Sequence, residues 1–132
     1  MDTFSPWAAA LQVAAGGATG AVLRWAAGEV VPKWLGHGTF PYATLLVNVF
    51  GSLAMGLLAG WLLRGGNGAE AWRLFLGVGV LGGFTTFSTF SLDLFLLIDR
   101  DMTSLAFLYA VTSVIAGLGA LWLGMVLARS MA

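Results

Sequence analysis

The chain has 132 residues, of which 59% are hydrophobic and 9% charged, and its net charge is zero. Soluble domains carry about 25% charged residues, so a water-soluble fold is excluded and a bilayer is implied. There is no cysteine and one histidine, His37, which excludes disulfides and thiolate chemistry and argues against a His/Asp/Glu metal centre, while no basic cluster points to nucleic acid.

Met1-Asp2-Thr3-Phe4 lacks the positive flank of a signal peptide, so no cleaved leader is expected. A spanning helix needs about 20 mostly apolar residues, and the charges divide the chain into four such runs. Helix 1 is predicted over about Trp7–Gly28, followed by the loop Glu29–Lys33 with Pro32 and Pro41 as breakers. Helix 2 covers Tyr42–Leu63, and Arg64-Gly65-Gly66-Asn67-Gly68 makes a short turn. Helix 3 starts near Ala69 and ends near Ile98, too long for one straight span, and a break near Gly82-Gly83 resolves the excess. Asp99-Arg100-Asp101 turns the chain into helix 4, Met102–Ala128. Trp7, Trp34 and Trp72 fall near the predicted interfaces, where indoles prefer to sit. The expectation is one all-α transmembrane domain over residues 1–132 with four spans.

Glycines recur at spacings of four, Gly16 with Gly20 and Gly56 with Gly60, the pattern that lets membrane helices approach closely. Gly77-Val78-Gly79-Val80-Leu81-Gly82 matches a dinucleotide fingerprint literally, but no strand precedes it and no soluble βαβ unit surrounds it, so it is a chance match. The cations balance across the predicted topology. Arg64, Arg73 and Arg129 lie on the side of the termini, and Arg24, Lys33 and Arg100 on the other. Loop charge therefore sets no orientation, so opposite insertions could pair as an antiparallel, dual-topology homodimer.

The chemistry concentrates in Gly82-Gly83-Phe84-Thr85-Thr86-Phe87-Ser88-Thr89-Phe90-Ser91-Leu92-Asp93, an apolar stretch carrying five hydroxyls. Ser88, Thr89 and Ser91, with Thr112 and Ser113 on helix 4, form a candidate ladder of donors, although a single membrane Ser or Thr more often bonds its own i−4 carbonyl. Phe84, Phe87 and Phe90 recur near one helical face. Such a stripe is usually packing, yet ring edges are the positive end of the aromatic quadrupole and can solvate a small anion without trapping it. Asn48, deep in helix 2, is either an interhelical hydrogen bond or a donor on an ion path. Arg24, near the end of helix 1, either snorkels to the interface or makes an anion vestibule positive. A helix break at membrane depth would free carbonyls and amides to hold ions.

Together, Gly16–Trp25, Thr44–Ser52 and Gly82–Ser91 resemble, in order and spacing, the motifs of the Fluc (CrcB) fluoride channels, over nearly the whole chain. The resemblance implies a dual-topology homodimer with two passive, fluoride-selective pores, multi-pass in the inner or plasma membrane, that lets cytoplasmic fluoride leak out. It assigns Phe87 and Phe90 to the pore lining and Asn48 to the helix 2 donor. Ser88, Thr89, Ser91, Thr112 and Ser113, together with Tyr109, would form the polar track, and Arg24 matches the helix 1 arginine. It also implies a central sodium ion held by backbone carbonyls at Gly82 and Thr85 of both subunits. Asp93 stands where relatives often carry Glu. The partners expected are a second copy, the bilayer and fluoride, with no obligatory protein partner. A proton-coupled small multidrug exporter shares the four-helix plan but needs an intramembrane acid in helix 1, which is absent between Thr3 and Leu23. A non-transporting scaffold leaves the hydroxyl run and Asn48 unexplained. An enzyme is the least expected, because no nucleophile, base and orienting group fall together.

Overall fold

The computed structural model describes residues 5–65 and 68–131. Both the reading of Met1–Phe4 as uncleaved and the Gly66-Asn67 part of the predicted turn lie outside the described residues. The first helix, α1 (Pro6–Leu35), begins where the Ser5 hydroxyl accepts the Ala8 N–H at 3.2 Å and Pro6 occupies the first turn, the position where proline costs nothing. It then runs past the expected end at Gly28 and through Pro32, stopping only at Gly36, whose φ of 85° suits glycine. A proline here forfeits its bond to the Gly28 carbonyl. The helix tolerates it because Gly28 is exposed, with open space about it for the backbone to give way.

After the Gly36–Pro41 connection, α2 (Tyr42–Leu62) crosses back. The next element, α3, spans residues 69–84: a first turn Ala69–Trp72, a wide π-helical stretch Arg73–Leu81, and Gly82–Phe84. Then follow α4 (Phe87–Asp99) and α5 (Thr103–Ser130). Among the described residues there is no strand. Tyr42–Leu62, Ala69–Asp99 and Thr103–Ser130 are long and apolar enough to cross a membrane. α1, at 30 residues, is long enough as well, but Gln12, Thr19, Arg24 and its glycines dilute its hydropathy.

Two tight pairs make the bundle. In the first, α1 lies against α3: a Cβ on Gly16 would strike the Phe75 carbonyl oxygen, and one on Gly20 would strike the Val80 carbonyl oxygen. Gly83 meets the Gly17 carbonyl oxygen across the same seam. In the second, α2 lies against α5, where Gly56 faces the Leu121 carbonyl oxygen and Gly124 the Leu53 carbonyl oxygen. Contacts this close are between backbones, so close packing rather than hydrophobic side chains joins the helices. A smaller apolar cluster, Leu97, Ala106 and Tyr109, ties α4 to α5. Trp7 and Trp34 stand exposed at the two ends of α1, and Trp72 is half out in the first turn of α3. Near it Arg73 and Glu70 form a two-point ion pair, at 2.7 and 2.8 Å.

Candidate functional site

The helix break sits at Thr85-Thr86, two residues beyond the expected Gly82-Gly83. The glycines stay helical, Gly82 at φ −63° and ψ −38°. Gly83 serves the α1 seam instead, since a Cβ there would press 2.5 Å from the Gly17 carbonyl oxygen. Thr85 and Thr86 are extended, with φ/ψ of −77°/158° and −151°/124°. Two interactions hold them so. The Thr86 hydroxyl caps α4 by accepting the Thr89 N–H at 3.1 Å. Asn48 of α2 clamps the Thr86 backbone at both ends: its Oδ1 accepts the Thr86 N–H at 2.8 Å and its Nδ2 donates to the Thr86 carbonyl at 3.0 Å. Gly51, one turn further along α2, has no side chain to hold the helices apart, since a Cβ there would strike the Thr85 methyl.

The break frees the last carbonyls of α3, and those of Gly82 and Thr85 are among the ones without their helical donors. In a continuous helix the Thr86 N–H would bond the Gly82 carbonyl and the Thr89 N–H the Thr85 carbonyl. Asn48 and the Thr86 hydroxyl take those donors instead. Gly82 and Thr85 are the two positions that the sequence resemblance assigned to a cation. The Thr85 hydroxyl is itself turned back to the Leu81 carbonyl, at 2.9 Å.

Beside the break lies a cleft of about 350 Å³ between α2, α4 and α5, lined by Asn48, Ser52, Thr86, Phe87, Phe90 and Ser113 among others. The Ser113 hydroxyl is buried there with no hydrogen-bond partner, a costly state in an apolar interior. Asn48 spends one amide hydrogen on Thr86 and keeps another. Phe87 and Phe90 stand side by side on the rim, ring centroids 5.8 Å apart and tilted by 45°. Phe90 is half-buried, whereas Phe87 is 79% exposed. The cleft is thus a mainly apolar trough, with Asn48, Thr86 and Ser113 among its few polar lining residues and two aromatic rings at its lip.

A second cleft, of about 240 Å³, is lined by Arg24, Trp25, Thr44, Thr86 and Thr89. Thr86 is the wall common to both. The remaining expected donors are distributed differently. Ser88 contacts the Thr86 hydroxyl at 3.3 Å. Thr89 lines the second cleft and accepts from Thr86 at 3.1 Å. Ser91 returns its hydroxyl to the Phe87 carbonyl at 3.0 Å on an exposed face, and Thr112 is half-buried outside both clefts. Tyr109 is fully buried beneath Phe90, centroids 5.2 Å apart, and its hydroxyl donates to Asp93 Oδ2 at 3.1 Å. Sequence reasoning missed Thr86 and Ser52. The first was legible as a Thr three residues before Thr89 at a helix start, the second as a hydroxyl one turn past Asn48.

Residues 11–125 match the family described as CrcB-like protein, Camphor Resistance (CrcB). The chain is 54% identical to a protein of Novosphingobium aromaticivorans over 91% of its own length and 95% of that relative's. It is 52% identical to one of Phenylobacterium zucineum (92% and 95%) and 47% identical to one of Erythrobacter litoralis (98% of each). All three relatives bear the name fluoride-specific ion channel FluC.

Proposed function

The chain belongs to the CrcB family, and from that membership we infer that it is a fluoride-specific ion channel, multi-pass in the membrane and not an enzyme. The finer mechanism proposed is passive, electrogenic leak of cytoplasmic fluoride across the inner or plasma membrane. The observation that carries it is the cleft at the break, which Ser113, with a buried hydroxyl that lacks a partner, lines together with Asn48, Phe87 and Phe90. An unpaired donor in an apolar trough is stabilised by an anion. The donors carry no net charge, so a dehydrated fluoride is held weakly enough to leave. Arg24 beside the second cleft supplies positive potential at the approach. The hydroxyls of Ser88 and Thr89 continue the polar track, while Ser91, Thr112 and Tyr109 stand beside it, the Tyr109 hydroxyl held by Asp93.

The working unit proposed is an antiparallel homodimer of four-span subunits, with α1 as the remaining span. At about 1.5 Å per residue, α1 exceeds the roughly 30 Å hydrocarbon thickness. Phe87, 79% exposed at the lip of the cleft, lies where a second copy would cover it. The balanced loop cations permit both insertions, and two-fold pairing gives two pores.

A sodium ion fits the break. The Gly82 and Thr85 carbonyls, released from their helical donors, are hard oxygen ligands of the kind a small monovalent cation takes. Bound there, the ion would supply fixed positive charge that offsets the carbonyl dipoles. Asn48 and the Thr86 hydroxyl hold those carbonyls open.

The test is efflux from proteoliposomes loaded with fluoride or chloride, with valinomycin carrying potassium. Fluoride release without chloride release is the expected result. Absence of fluoride release from dimeric protein would refute the channel reading and favour a scaffold.

A further inference from the structure

We propose that Ser52 is a second donor station for the permeating anion, one helical turn beyond Asn48. The inference rests on the fluoride-channel reading. The cleft extends past the break along the seam between α2 and α5, and its lining beyond Asn48 and Ser113 is Ser52, then Met55, Val114 and Leu121. Asn48, Ser52 and Met55 follow at i, i+4 and i+7, so they form one stripe on α2. The step from Asn48 to Ser52 rises about 6 Å, and that from Ser52 to Met55 about 4.5 Å. An anion leaving the Asn48–Ser113 level in that direction therefore meets a single polar side chain before apolar walls.

The partner helix leaves room for that role. Across from Ser52 stands Gly117, one turn beyond Ser113 on α5. A Cβ added there would lie 3.6 Å from the Ser52 hydroxyl oxygen. Because glycine carries no such atom, the hydroxyl borders open space where any other residue would cover it. The neighbouring glycines of this seam behave differently: Gly56 and Gly124 have backbone atoms of the opposite helix pressed against them. Gly117 is thus not required for helix approach, and its effect is to leave the Ser52 hydroxyl without a side chain against it from α5 at that point. A hydroxyl donor suits a hard, dehydrated anion here for the same reason as at Ser113. It supplies one hydrogen bond and no fixed charge.

The experiment compares fluoride efflux from proteoliposomes for wild type, Ser52→Ala and Ser52→Thr, each first shown to elute as the same species. Ser52→Ala removes one oxygen atom and leaves the glycine contacts intact. A lost hydrogen bond to an ion predicts flux slower by roughly ten- to a hundredfold in Ser52→Ala, with Ser52→Thr within about threefold of wild type. Wild-type flux in Ser52→Ala would overturn the proposal. Equal loss in Ser52→Ala and Ser52→Thr would also overturn it, because shape rather than the hydroxyl would then control the rate. A wild type that releases no fluoride would sink the channel reading itself, an outcome distinct from either.

Discussion

The α1–α3 seam and the break at Thr85-Thr86 lie within a few residues of one another yet solve opposite problems. At the seam the backbone is helical on both sides, and glycine simply removes what would keep two such helices apart. At the break the backbone leaves the helix, and Asn48 and Thr86 side chains stand in for the lost partners. The difference teaches that glycine in helix 3 marks contact, while the departure from helix is dictated by polar side chains. Changes at the seam should act on assembly, and changes at the break on permeation.

The largest effect belongs to the seam. Gly20→Ala drives a methyl into the Val80 carbonyl and to within 2.7 Å of the Phe84 nitrogen, atoms that cannot rotate away. Overpacking of this kind costs about 1–3 kcal/mol or more, so the variant should yield little monodisperse protein in detergent. Gly119→Ala, which meets nothing within 4 Å, should match wild type. Similar yields for the two variants would break the contrast between contact glycines and free ones.

Next comes the clamp. Asn48→Asp keeps an acceptor for the Thr86 N–H but turns a carboxylate oxygen toward the Thr86 carbonyl and puts a negative charge in the cleft. Charge repulsion in a low-dielectric site predicts loss of fluoride flux by about a hundredfold or more, with the dimer still recovered. Phe87→Ile or Phe90→Ile should also cripple flux with assembly intact. Normal flux in Asn48→Asp would confine that residue to bracing the break. A sodium ion held by the Gly82 and Thr85 carbonyls, as proposed, predicts that replacing it with lithium or potassium lowers the thermal stability of the protein. Equal melting in all three salts would argue against a cation at the break.

Much of this arrangement could be read from residue order. Charge-free runs located the apolar segments, and the spacing of Gly16, Gly20, Gly56 and Gly60 anticipated both seams. Asn48, Phe87, Phe90 and Ser113 were singled out, and the fold brings all four to one cleft. The position of the break was less legible. Gly82-Gly83 looks like a breaker because glycine weakens helices, but what decides is a contact with α1 and an amide from α2, both distant in sequence. Pro32 misled for a related reason: a proline stops a helix only where the backbone one turn back cannot yield, and around Gly28 it can. The partnerless state of Ser113, as against the back-bonded Ser91, depends on packing and could not be foreseen from either residue's neighbours.

The smallest expected effect on flux falls where the site meets the core. Tyr109 is fully buried among Leu97, Ala106 and Phe90, and its hydroxyl is already committed to Asp93. Tyr109→Phe keeps the ring and its contacts with Phe40 and Phe90, at centroid distances of 5.5 and 5.2 Å, and deletes one hydrogen bond. That loss is worth about 1.5–3 kcal/mol, the acceptor being a carboxylate, and should lower the melting temperature by several degrees. Because the hydroxyl points to a carboxylate rather than into the cleft with Ser113, flux should change by less than in Ser52→Ala. A collapse of flux with unchanged melting would reverse the assignment. The hydroxyl would then have to leave Asp93 during passage, and the boundary between core and permeation path would run beneath Tyr109 instead of above it.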